Sequence, residues 1–185
     1  MKPLAIFVLA VMLSSCGTTS NIRSAEKADD LPDFRNYNYV IVNDFKDGVS
    51  KSSDDPHILA EGKRFADMIA SLIKSRNVFV KVERNVESAD MALLIDGKIT
   101  KYSEGNAVMR TLVGFGAGSS HFDAKVNISD NTTKQHLGSI DVHKMSWALG
   151  GVIAGSQDTS SHMNSAATKI ADECTKAKKR KTGSI

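Results

Sequence analysis

Few side chains in this chain are suited to covalent or metal chemistry: two cysteines, Cys16 and Cys174, and five histidines, His57, His121, His136, His143 and His162. The histidines fit neither a His-Glu-x-x-His pattern nor, with the cysteines, any Cys-x-x-Cys spacing, so the sequence offers no closed ligand set for a metal. His121 and His143 fall on the expected outer face of one β-hairpin, with Asp123 or Asp141 as a third ligand, but plain exposed residues explain them as well. There is no Gly-x-Ser-x-Gly elbow. Asp54-Asp55 stands where a loop meets a helix, which makes it a cap rather than an acid/base pair. Asn131-Thr132-Thr133 fits a glycosylation sequon and reads as a turn. The expectation is therefore a protein that is not an enzyme, with no catalytic residues, no metal and no cofactor.

The segment Met109-Arg110-Thr111-Leu112-Val113-Gly114-Phe115-Gly116-Ala117-Gly118-Ser119-Ser120 carries three alternating glycines. Such spacing suits a backbone in close approach to something else. It is not a phosphate loop: no Gly-Lys-Ser/Thr ending follows, Ser119 stands at the third glycine position of a dinucleotide fingerprint, and a strand rather than a helix comes next. A second glycine-rich apolar segment runs from Trp147 to Gly155 and contains Gly150 and Gly151. If the intervening strands pair as a hairpin, its open end brings the two segments together. Arg110, Gly114, Phe115, Gly116, Gly118, Gly150 and Gly151 are thus candidates for a partner surface. The alternative is that the segments pack on each other and close the core.

Cys16 has a different setting. Before it come Met1-Lys2-Pro3, the apolar run Leu4 to Met12, and Leu13-Ser14-Ser15; Gly17 follows. The run is too short to span a bilayer and reads as an export signal. Leu13-Ser14-Ser15-Cys16 resembles the lipobox of bacterial lipoproteins. The resemblance implies cleavage after Ser15, a diacylglycerol thioether on Cys16, and acylation of the new amino terminus. Several acyl chains, at about 0.8 kcal/mol per buried CH₂, make a lasting anchor. Gly17 stands where retention in the inner membrane usually requires Asp, so the resemblance favours an outer-membrane lipoprotein facing the periplasm.

Composition narrows the class further. Removing residues 1–15 leaves 170 of the 185, enough for one domain with a real core. That chain carries 23 basic and 21 acidic residues, net +2; without Lys176, Lys178, Lys179, Arg180 and Lys181 the net is −3. This is not the balance of a nucleic-acid binder. The basic run suits a helix C-terminus and solubility, with contact to anionic lipid as the alternative. If Cys16 is acylated, Cys174 has no partner. It completes an apolar helix face with Met163, Ala166, Ala167, Ile170 and Ala171, and is expected to be buried and inert.

Residues 16–34 are polar and aperiodic and read as the acylated cysteine and a flexible tether. An α/β domain is expected over residues 35–178, with a basic tail over 179–185. Alternation predicts strands over Tyr37–Phe45, Val78–Val82, Met91–Tyr102, His121–Ile128 and Leu137–Trp147. Asp54 or Asp55, with Pro56, opens a helix running to about Arg76, and a last helix covers about Ser161 to Lys178. A bulge would reconcile Ile140 and Val142 with Met145 and Trp147. The order β-α-β-β-β-β-α predicts a single two-layer sandwich, a mixed sheet with helices mainly on one face.

Ile95-Asp96-Gly97-Lys98-Ile99-Thr100, Gly105, Arg110 and Val113 to Gly118 together resemble a bacterial lipoprotein family known as domain of unknown function 4410, over roughly residues 35–175. The order of elements is also similar to the N-terminal domain of TolB. The resemblance implies a non-catalytic interaction or assembly module of the cell envelope, with an envelope protein or a homo-oligomer as partner. A small-molecule or metal-binding lipoprotein is the alternative.

Overall fold

A computed structural model describes residues 33–105, 120–145 and 158–180. The elements are β1 (Tyr39–Val42), β2 (Lys46–Asp47), α1 (Pro56–Ser75), β3 (Lys81–Arg84), β4 (Leu93–Ser103), β5 (His121–Asp130), β6 (His136–Met145) and α2 (Thr159–Lys178). They form one mixed sheet of six strands in the order β3-β1-β4-β5-β6, with β2 also pairing β4. The β1–β3, β1–β4 and β2–β4 pairs are parallel; the β4–β5 and β5–β6 pairs are antiparallel. The α/β sandwich expected from alternation is the fold, with the short β2 added.

Both helices cover one face of the sheet. Phe65, Ile69 and Ile73 of α1 and Met163, Ala166, Ile170 and Cys174 of α2 share one apolar core with Val40, Ile95, Val126 and Val142. Three phenylalanines stack edge to face at its centre: Phe45–Phe65 at 4.9 Å and Phe65–Phe122 at 4.8 Å between ring centroids. Edge-to-face contact matches the ring quadrupoles and adds about 1 kcal/mol per pair to area burial. The helix ends are fixed locally. Asp55 caps α1, accepting from the His57 N–H at 2.8 Å, with Pro56 in the first turn. Asn77 leaves α1 in the left-handed region at φ 52°. Asp158 caps α2, accepting from the Ser161 N–H at 2.7 Å.

Three expectations need correction. The strand expected over Tyr37–Phe45 breaks after Val42 and resumes as β2. Phe45 turns into the core between the two pieces, where its ring lies over Gly97: a Cβ there would sit 2.6 Å from Phe45 Cε1. The strand expected over Val78–Val82 is instead Lys81–Arg84. The turn after α1 buries Phe79 beside the half-buried Val78 and Val82 and leaves Val80 86% exposed, so the alternation does not continue through this segment as a strand. The β5–β6 register runs without interruption from Val142 to Met145, so the bulge expected there is absent. The extra residue is Leu137, beside the turn, and a second irregularity lies at Thr100 in β4.

Candidate functional site

The register pairs His121 with Met145, so the two glycine-rich segments attach at the same end of the β5–β6 hairpin. Residues 106–119 and 146–157 lie outside the described residues, and with them Arg110, Gly114, Phe115, Gly116, Gly118, Gly150 and Gly151 of the expected partner surface; Cys16 lies outside them too. What is described at this end is a buried polar anchor. Ser120, fully buried, has its Oγ 3.1 Å from Nε2 of His162 in the first turns of α2. Thr159 Oγ1 donates to the Ser103 carbonyl at 2.9 Å. These contacts satisfy polar groups that burial would otherwise penalise, and they tie the start of α2 to the ends of β4 and β5.

The histidine pair expected across the hairpin is not formed as such. Asp123, not His121, stands opposite His143, and His143 Nδ1 lies 3.4 Å from Asp123 Oδ2. Among the described residues no group of three His, Cys, Asp or Glu side chains is placed to hold a metal. Cys174 is fully buried, and desolvation pushes its thiol up to about 12. A thiol held neutral in this way is a poor nucleophile, in keeping with the apolar helix face read from the sequence.

Other polar side chains act as fasteners. Lys178 Nζ donates to the carbonyls of Arg35 at 2.9 Å and Tyr37 at 2.6 Å and to Asn38 Oδ1 at 2.9 Å, and Lys176 pairs with Glu173 at 2.9 Å. Two members of the basic run therefore hold structure. The sequon is a turn: Asp130 Oδ1 accepts from the Thr132 and Thr133 N–H groups at 2.8 and 2.6 Å, and Asp130 Oδ2 accepts from Tyr37 Oη at 2.8 Å. These donors, Thr133 N–H first, hold the Asp130 carboxyl below the usual range. Tyr37 is pushed up to about 12, by burial first and then by Asp130. Arg84 Nε donates to Asp67 on α1 at 2.8 Å, and its guanidinium also bonds Asp44 and the Val42 carbonyl.

The face of the sheet away from the helices carries what sequence reading missed. Lys46 stands opposite Lys98, and Lys98 stands opposite Lys125, so three lysines form one row across β2, β4 and β5. They border a groove of about 380 Å³, lined also by Asn43, Asp44, Asp96, Gly97 and Asn127. Outward alternation of Lys98 and Lys125 is visible in the sequence; their alignment depends on register and is not.

A small mixed sheet under two helices, with a lysine row and a small apolar cluster of Tyr39, Ile41 and Ala92 on the other face, defines a compact α/β module. The chain belongs to the DUF4410 family, a domain of unknown function, whose model matches residues 34–150. No curated protein matches it. Among solved structures it is similar to the PelC dodecamer from Paraburkholderia phytofirmans, with 13% identity and TM-score 0.54, over 89% of this chain and 100% of that one. A variant PelC dodecamer in another crystal form gives 14% identity and TM-score 0.53 over the same shares. Protein XCC0632 from Xanthomonas campestris, of family DUF330, aligns with 9% identity and TM-score 0.42 over 82% of this chain and 90% of that one.

Proposed function

We propose that this protein is an outer-membrane-anchored periplasmic lipoprotein whose domain is a non-catalytic assembly module, and that its partner is a further copy of itself. The observation that carries the reading is the contrast between the two edges of the sheet. The β3 edge is four residues long and laden with charge: Lys81 pairs with Glu83 at 2.7 Å, and Arg84 is tied to Asp44 and Asp67. Short, charged strands are how sheets discourage edge pairing. The β6 edge is ten residues long, and no described strand pairs with its outer side. A long unpaired edge is a template for another chain. The similarity to PelC, which crystallised as a dodecamer, supports the same reading. In a head-to-tail assembly, one surface of each copy meets a different surface of the next, and a closed ring follows if the rotation closes.

Anchorage rests on Leu13-Ser14-Ser15-Cys16. Native mass measurement of the acylated protein, extracted gently in detergent, tests the assembly. A single high-mass species containing only this chain is expected. A monomer, or a complex built around an unrelated protein, overturns the self-assembly. Cys16→Ala is expected to release the protein from the membrane fraction or leave it as a precursor; unchanged acylation in that variant removes the anchor.

A further inference from the structure

We propose that the groove on the open face of the sheet binds a small, multiply charged anion of the phosphate class. The argument begins with an arrangement that costs stability. Lys46, Lys98 and Lys125 are direct cross-strand neighbours in one row. Strands in a sheet lie about 4.8 Å apart, so the three lysine side chains leave the sheet side by side. Like charges directly opposite each other destabilise a sheet.

The carboxylates nearby offset this only in part, and each is held by partners other than the row or stands on a neighbouring strand. Asp47, adjacent to Lys46, has both oxygens committed to the loop: Oδ1 accepts from the Val49 and Ser50 N–H groups at 2.7 and 3.0 Å, and Oδ2 from the Asp55 N–H at 2.8 Å. Asp44, which lines the groove, is tied to Arg84. Asp96 accepts from Asn127 Nδ2 at 3.4 Å. Among the described ion pairs none includes Lys46, Lys98 or Lys125. The row's three positive charges share the groove with the carboxylates of Asp44 and Asp96, and Asp141 stands opposite Lys125 on the neighbouring strand.

The groove is also shaped. The stem of Lys98 lies along Gly48, whose N–H donates to the Ile99 carbonyl at 2.8 Å. A Cβ at Gly48 would sit 2.9 Å from Lys98 Cδ and 2.8 Å from Ile99 O, so glycine there lets the lysine lie flat against the loop. This contact limits the freedom of one ammonium before any ligand arrives. Lysine meets phosphate as a point charge with three donors, and the Asn43 and Asn127 side chains line the same space. A ligand with two or more negative charges bridges neighbouring lysines and removes their repulsion, which a single charge cannot do.

The test is calorimetric titration of the full-length protein with inorganic pyrophosphate at low salt, with thermal melts of the same samples. Glycerol 3-phosphate serves as a soluble stand-in for a lipid headgroup. Saturable pyrophosphate binding is expected, weakened about tenfold in Lys98→Gln and again in Lys125→Gln, each of which removes a charged donor. The two variants should melt at or above the wild-type temperature without ligand, because each relieves repulsion, and should lose most of the ligand-induced rise. Tighter binding of glycerol 3-phosphate than of pyrophosphate assigns the groove to a headgroup; the reverse assigns it to a soluble anion. No saturable binding of either probe, binding unchanged in both variants, or variants that melt below wild type overturn the proposal.

Discussion

Gly97 and Lys98 are neighbours in β4 and lie on opposite faces of the sheet, and the two faces obey different rules. On the helix side, Gly97 leaves space for the Phe45 ring, and a Cβ there would sit 2.2 Å from the Lys125 carbonyl oxygen. Ångström-scale volume decides what is allowed. On the open side, Lys98 is exposed beside Lys46 and Lys125, and charge rather than volume is the constraint. A close-packed interior punishes a single added carbon because it cannot flow. The solvated part of the open face, away from the small cluster of Tyr39, Ile41 and Ala92, tolerates most side chains, so an unfavourable pattern retained there is the more informative kind. Gly62 repeats the first rule on α1: a Cβ would sit 2.2 Å from the Phe45 carbonyl oxygen.

The sharpest way to break this contrast is Gly97→Val. Backbone stands within 3 Å of the new carbon, so the sheet must shift or open. The loss is expected to exceed about 3 kcal/mol, read as a fall in the urea midpoint or as insoluble expression. A variant with wild-type stability would show that the helix face is not close-packed around Phe45.

An intermediate effect is expected at Asp130, which is buried and accepts from Thr132, Thr133 and Tyr37. Asp130→Ala strands these donors and should cost about 2 kcal/mol. The site also has a signed pH dependence. Because the folded state holds the carboxyl below its ordinary value, its contribution is fully present above the unfolded pKa of about 4 and is lost as pH falls through the lower folded value. Urea melts from pH 7 to pH 3 should therefore steepen downward below about pH 4 in the wild type and less so in Asp130→Asn. Equal acid slopes would remove Asp130 from the account.

The smallest effect belongs to the open face. Asp123 and His143 are 3.4 Å apart, and the His143 side chain is 59% exposed. Asp123→Asn is expected to change stability by less than about 0.5 kcal/mol in a thermal melt at moderate salt. A loss as large as that of Gly97→Val would mean that the hairpin's outer face too is held by specific packing.

Much of the frame was legible in the chain. Period-two alternation in Phe122, Ala124, Val126 and Ile128 marked β5, and the apolar stripe of Phe65, Met68, Ile69, Leu72 and Ile73 with Asp55-Pro56 before it marked α1. Cys174 was legible as a core residue for the same reason. Where reading failed, local pattern and global packing disagreed. Val78, Val80 and Val82 alternate perfectly, yet Phe79 is fully part of the core and Val80 is turned out to solvent. Tyr37 to Phe45 looked continuous, yet Phe45 had to leave the sheet to meet Phe65.

The sequence by itself determined the class of fold, the apolar faces of both helices and the outward polar positions of β4 and β5, because these depend on periodicities of two and 3.6 residues that any local stretch displays. Only the tertiary structure decided that Lys46, Lys98 and Lys125 share a row, that Asp123 rather than His121 faces His143, and that Ser120 meets His162 across 42 residues. Such pairings depend on strand register and on the packing of distant elements, and a shift of one residue in register would send each strand residue to the opposite face.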